Sequence, residues 1–152
     1  MNISIIDAIP AHAYALAPRL RDTDLRELEA TSGRDPRTIL LDAIGISTHC
    51  WAAVRDGYVD VLFGAAPLVD GLGSAWLLAS PDIYRYPKQF LKYSREYVAK
   101  MHEDYPVLTN FVDDRNTPSH GWLKKLGFFT GIHVPEYGIG KLPFTQYTSM
   151  GA

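Results

Sequence analysis

The side chains able to do chemistry are few and scattered. Cys50 stands beside His49, a thiol and an imidazole that would make a nucleophile and its base if they met. Adjacent residues of a strand point to opposite faces, so the two cannot pair directly, and Cys50 reads as a buried, inert thiol. Asp113-Asp114 sets two carboxylates together as a metal site would; with no third ligand nearby, the pair reads as a loop. Asp60, among alternating apolar neighbours, is a candidate general base, with a surface polar position as the stronger reading. His12, His102, His120 and His133 show no triad signature. Arg85 and Lys88 flank the start of a segment with helical periodicity, where the helix dipole disfavours cations unless a phosphate binds there. They are either an anion clamp or a solvated basic face.

These residues hang on elements that periodicity predicts. Ile3, Ile5 and Ile6 mark a first strand over Asn2 to Ala8. Two helical pieces follow, through Tyr14, Leu16 and Leu20 and through Leu25, Leu28 and Ala30, the second capped by Asp22 or Thr23. Asp35-Pro36 opens a third, as N-cap and N1 residues. Asp56-Gly57 between the apolar runs Cys50–Val54 and Tyr58–Phe63 predicts a tight hairpin, and Asp70 to Gly73 turns the chain into a strand at Ala75–Ala79. Pro87 to Asp104 has the spacing of a long amphipathic helix, with Lys88, Lys92, Arg95 and Lys100 mostly opposite its apolar face. Leu108–Val112 is a buried strand. Asn116 to Phe128 is a short helix with Thr117 as cap, Pro118 at N1 and Gly127 in the left-handed position after its end. Two strands in 129–149 complete the chain. Helices that follow a mostly antiparallel sheet predict a mixed α/β fold.

The chain has 152 residues, which suits one domain spanning 1–152. A formal charge of −2 excludes a globally basic nucleic-acid binder, and the aromatic and basic residues interleaved over Tyr84–Tyr97 fall largely into a helical core face. The total conceals a division: residues 1–82 carry six basic and eleven acidic side chains, residues 83–152 nine basic and six acidic, and the first lysine is Lys88. A lone cysteine points to an intracellular setting. Pro67 and the glycines around it argue against a membrane helix in Val61 to Ser80, a stretch whose only charge is Asp70.

The element order, together with Asn116-Thr117-Pro118-Ser119-His120-Gly121-Trp122-Leu123-Lys124-Lys125-Leu126-Gly127-Phe128, resembles the GCN5-related N-acetyltransferase (GNAT) superfamily and its late helix motif. Within it the chain is similar to the small acetyltransferase-like proteins of short-tailed phages, the group containing internal virion protein A. That similarity is carried by Gly71 to Leu78 and Tyr105 to Asn110 as well as the helix motif. The resemblance implies a GNAT-like mixed, mostly antiparallel sheet flanked by helices, and acetyl-CoA as cofactor. It implies that Leu77, Leu78 and Ala79 offer main-chain groups to the pantetheine arm, that Arg85 and Lys88 stand at the phosphates, and that Asn116 either reaches a cofactor amide or simply makes a turn. It also marks departures. The stretch Ser80–Lys88 lacks the family's phosphate-binding glycines, Pro81 and Pro87 have no N–H, and the position of the family's acid tyrosine is Leu123.

Two functions follow as expectations. One is an N-acyltransferase moving acetyl from acetyl-CoA to an amine. The other is a catalytically degenerate virion, assembly or host-interaction protein, in the host cytoplasm or incorporated in the virion, for which Tyr137, Phe144 and Tyr147 would supply exposed aromatics.

Overall fold

In the computed structural model, which describes residues 1–151, β1 (Ile3–Asp7) is followed by three helices, α1 (Pro10–Leu16), α2 (Asp22–Thr31) and α3 (Pro36–Ile46). Asp35 caps α3 as its sequence requires, accepting a hydrogen bond from the Thr38 amide at 3.2 Å. The next strands are β2 (His49–Arg55), β3 (Tyr58–Val69) and β4 (Leu72–Ala79). Asp56 and Gly57 both take positive φ, 48° and 88°, in the turn whose twist matches its flanking strands. A 3₁₀ turn, Pro81–Arg85, leads into α4 (Pro87–Asp104), then β5 (Val107–Asp113), α5 (Thr117–Lys125), β6 (Phe129–Tyr137) and β7 (Leu142–Met150).

The strands form one sheet of seven in the order β1-β2-β3-β4-β5-β7-β6. Every pairing is antiparallel except β4 with β5. Period-2 alternation splits the apolar residues between two cores. Val61, Phe63, Ala65, Ala75 and Ala79 pack under α4 and α5 with Met101, Tyr105 and Leu123. Leu62, Leu78 and Ala52 pack on the other face against Leu16, Leu28 and Leu40 of α1 to α3.

Three local expectations change. No side chain caps α2; Arg21 is its N-cap residue and Asp22 begins the helix. The cap of α5 is Asn116, whose Oδ1 accepts from the Ser119 amide at 3.4 Å, so Thr117 is already helical. Phe144 and Tyr147 are buried, not exposed, because β7 runs between β5 and β6 with both faces covered there, and Tyr137 stacks on Phe111 at 4.9 Å.

The turn joining β6 to β7 reaches back across the sheet to α2. Gly140 and Ile139 donate to the Ala30 and Thr31 carbonyls at 2.9 and 3.3 Å, satisfying acceptors that the end of a helix leaves free. Gly138, at φ 68°, sits so close that a Cβ there would lie 2.6 Å from the Ala30 carbonyl oxygen. At its other end α2 is tied to β4: the Arg21 amide donates to the Ala79 carbonyl at 2.9 Å.

Candidate functional site in the gap between β4 and β5

The parallel pair β4–β5 is joined only at its start, through Leu72 with Val107, Gly73 with Leu108 and Ser74 with Thr109. Beyond Ser74 the strands separate. In an extended strand alternate residues direct their main-chain groups to the same side. Ala79 turns its groups away from β3, its N–H to Asp24 at 2.9 Å and its carbonyl to Arg21. Leu77, two residues earlier, therefore turns its N–H and C=O toward the gap, where β5 no longer pairs with it.

Two cavities meet at this gap, sharing Leu77, Ser119 and Trp122 as lining. One, of about 340 Å³, lies between the 3₁₀ turn, the head of α4 and α5, with Tyr84, Pro87, Leu91, Pro118 and Lys125 among its walls. That volume is in the range of small-molecule pockets. The other, of about 190 Å³, reaches the opposite side of the sheet, against Leu28, Ile39, Ala43 and Trp76, with Asp24 and Glu27 on its wall.

Two carboxylates, Asp24 and Glu27, line the gap, and Asp113 lies against Glu27 at the end of β5. Asp24, buried, takes both Nε and Nη2 of Arg21 at 2.9 and 3.0 Å as well as the Ala79 amide. Asp113 holds Arg115, with Nη2 to Oδ2 at 2.6 Å, and lies below the ordinary carboxylate range; burial opposes its charge, but Arg115 prevails. Glu27 is different. Its Oε1 accepts from the Asp113 amide at 2.9 Å and from Asn116 Nδ2 at 3.0 Å, and no described residue donates to Oε2. Among the described residues no guanidinium pairs with it. Burial, with the Asp24 and Asp113 charges adding to it, pushes the Glu27 carboxyl up to about 7 against the pull of its two hydrogen bonds.

A second charged cluster fixes the turn that leads into α4. Asp60, fully buried, accepts from Arg55 Nε at 2.8 Å, Arg19 Nη2 at 3.0 Å, the Tyr86 hydroxyl at 2.6 Å and Ser80 Oγ at 3.3 Å. Asp82 joins through the same two arginines at 2.9 and 3.2 Å. Burial opposes the Asp60 charge, yet its hydrogen bonds from Arg55, Tyr86 and Arg19 hold it below the usual range. The surface position expected for Asp60 is thus overturned: its alternating neighbours made the strand, Arg55 neutralises it from across the hairpin, and a second guanidinium, Arg19, comes from 41 residues earlier.

Of the three β4 residues expected to offer main-chain groups, Leu77 alone presents them to the gap. Leu78 is directed toward its β3 partner Leu62, and Ala79 is used by α2. Asn116 is spent within the protein, capping α5 and holding Glu27. Arg85 and Lys88 are exposed; Arg85 lies 3.8 Å from Asp82, and neither lines a cavity. The head of α4 has Pro87 at its first position, and the Lys88 and Gln89 amides that follow have no acceptor within the helix.

Burial pushes the Cys50 thiol up to about 12, which keeps it protonated. Among the described residues no cluster of His, Cys, Asp and Glu suits a metal, and Asp114 pairs with His133 at 2.8 Å. Among the described residues no helix is long and apolar enough to cross a membrane.

No family model and no curated protein matches the sequence. Solved structures do match in shape. Ard1 from Thermoplasma volcanium superimposes with a TM-score of 0.81 at 14% identity, covering 100% of this chain and 99% of that one. An acetyltransferase of the GNAT family from Bacillus anthracis gives 0.73 at 10% identity over 99% and 95%. The chain has the GNAT fold. A further GNAT-fold structure, yncA from Salmonella typhimurium, a putative acetyltransferase solved with its cofactor acetyl-CoA, gives 0.68 at 13% identity over 99% and 94%. Sequence reading missed Glu27 and Arg21 as residues of the gap. The available signal was that Asp24 and Glu27 share the helical face of Leu28, where carboxylates do not belong unless partnered.

Proposed function

We propose that this chain is an acyl-CoA-dependent N-acyltransferase that moves an acetyl group from acetyl-CoA to an amine. The observation that carries the reading is the opening of β4 from β5, which leaves Leu77 main-chain groups facing a cavity that runs to the heads of α4 and α5. The residues present suit such a donor. Leu77, Ile83, Phe90, Leu91 and Trp122 offer apolar walls to an extended arm. At the phosphate end, the Lys88 and Gln89 amides stand with the Arg85 and Lys88 side chains where the family has glycines, and Lys125 lies on the cavity wall. Bound acetyl-CoA supplies an activated thioester. The Leu77 N–H is placed to polarise a carbonyl in the gap, and the narrow walls hold the reactants in line. The acetyl-CoA-bound likeness from Salmonella supports the same reading.

A second reading is a non-catalytic GNAT-fold protein of short-tailed phages, working in assembly or host interaction from the host cytoplasm or within the virion. It is favoured by the use of family positions for structure: Pro87 where an amide would serve, Asn116 as a cap and Leu123 buried in the core.

Thermal melting with millimolar acetyl-CoA decides between them. At a hundredfold excess over the dissociation constant, binding stabilises by about 2.7 kcal/mol, a rise of roughly 5–10 °C for a domain of this size. No shift overturns the transferase reading. The double variant Arg85→Ala, Lys88→Ala keeps the melting point of the free protein and loses most of the acetyl-CoA shift; an undiminished shift makes these two a solvated face.

A further inference from the structure

We infer that Glu27 receives the ammonium of the acceptor and takes its proton, and that the acceptor is a primary amine on an apolar substituent with no carboxylate beside it. The inference rests on the transferase reading above. Of the carboxylates about the gap, Asp24 and Asp113 each hold a guanidinium, while Glu27 holds none. Its Oε1 is fixed by the Asp113 amide and Asn116, which orients the carboxyl on the wall of the smaller cavity and leaves Oε2 for a donor from outside the chain. An ammonium group is the donor that also supplies the missing charge.

The surroundings define what the ammonium is attached to. On the helix side the cavity is walled by Leu28, Ile39, Ala43 and Trp76, all apolar except for the indole N–H, which is bonded to Ser47 at 2.8 Å. A carboxylate next to the amine would lie on the same wall as Asp24 and find the Arg21 guanidinium already engaged by it. Free amino acids are therefore disfavoured. A small apolar amine and a peptide beginning with an apolar residue share the required chemistry.

The reaction balances as follows. The nitrogen–carbonyl bond forms, the carbon–sulfur bond breaks, and the ammonium loses two protons. One passes to Glu27 before attack and then to solvent; the other leaves as the amide forms and ends on the thiol. A carboxyl that titrates near neutrality is matched to the first transfer. The charged and titratable groups facing Glu27 are Asp24 and Arg21 from the start of α2, Asp113 and Arg115 from the end of β5, and Tyr137 from β6, whose phenol is raised by burial and by the Glu27 charge.

Glu27→Gln keeps an oxygen for the Asp113 and Asn116 donors while removing the charge and the base. The expected result is an unchanged melting shift with acetyl-CoA, loss of the shift that 2-phenylethylamine gives the wild type, and at least a roughly 100-fold fall in amine-dependent thiol release. The wild-type rise of kcat/KM through about pH 7 is lost with it. Ala43→Phe, which fills the apolar end, keeps the acetyl-CoA shift and loses the amine shift, and provides the test should the first variant fold poorly. Phenylalanine reacts at least about tenfold more slowly than 2-phenylethylamine, and a peptide amide beginning with phenylalanine separates the two sources of the amine. Glu27→Gln that binds amine and turns over like the wild type overturns the inference, as does equal use of phenylalanine. The amine shift involves no cofactor, so a chain that binds amine through Glu27 but never acetyl-CoA overturns the transferase reading alone.

Discussion

Asp60 and Glu27 are both carboxylates set into the protein beside the same sheet, and the chain treats them in opposite ways. Asp60 is surrounded by two guanidinium groups, a phenol and a hydroxyl, every oxygen taken, and its charge is locked in. Glu27 is given two neutral amide donors on one oxygen and nothing on the other, and it is pushed up to about 7. Saturation makes the first a structural joint that fastens the 3₁₀ turn and α4 to β2 and β3. Incompleteness leaves the second able to exchange a proton and accept a ligand, as perturbed carboxyls in clefts do.

The comparison can be broken most forcefully at Asp60. Asp60→Ala leaves Arg55 and Arg19 with only the half-buried Asp82 between them and should destabilise the fold by about 3 kcal/mol, the lower end for breaking a buried pair, measured by urea unfolding. A loss below about 1 kcal/mol would mean that the cluster is not the joint described here. Tyr86→Phe removes one donor of four from Asp60; it should cost about 1.5 kcal/mol by the same measurement, within the range for hydrogen bonds to charged groups.

The pH dependence sharpens the contrast more gently, because the two groups have opposite signs. The Glu27 carboxyl is raised in the folded state, so its contribution to stability is full below the unfolded value near 4.5 and is lost as pH rises through about 7. Its slope reaches at most about 1.4 kcal/mol per pH unit, and Glu27→Gln should flatten it. The Asp60 carboxyl is lowered, so its contribution is present above the unfolded value of 3.8 and is lost as pH falls through the folded value. Unfolding free energies of wild type and Glu27→Gln from pH 5 to 8 test the first sign; an unchanged slope would refute it.

Elements whose signals are local were legible in the sequence. The bounds of α4, Pro87 to Asp104, follow from its periodicity, and Asp56-Gly57 and Asp35-Pro36 act as their residue types require. The mixed sheet and the GNAT fold also agree with what the element order implied. The site was less legible because its meaning lies in long-range pairings. Glu27 reads as one more acid on an acidic helix until Asn116, 89 residues away, is placed against it. Asp60 acquires its second guanidinium from Arg19, 41 residues earlier. The cap of α5 shifted by a single residue, from Thr117 to Asn116, and that shift decided whether Asn116 was available to a ligand.

The anchoring of α2 at both ends carries a further consequence. Arg21 ties it to β4 on one side of the split sheet, and Ala30 and Thr31 tie it to the turn between β6 and β7 on the other. The helix acts as a crossbar of ten residues, about 15 Å long, so the span of the opening is set by a count of residues. One residue added within it would both stretch that bar and swing Glu27 about 100° around the axis.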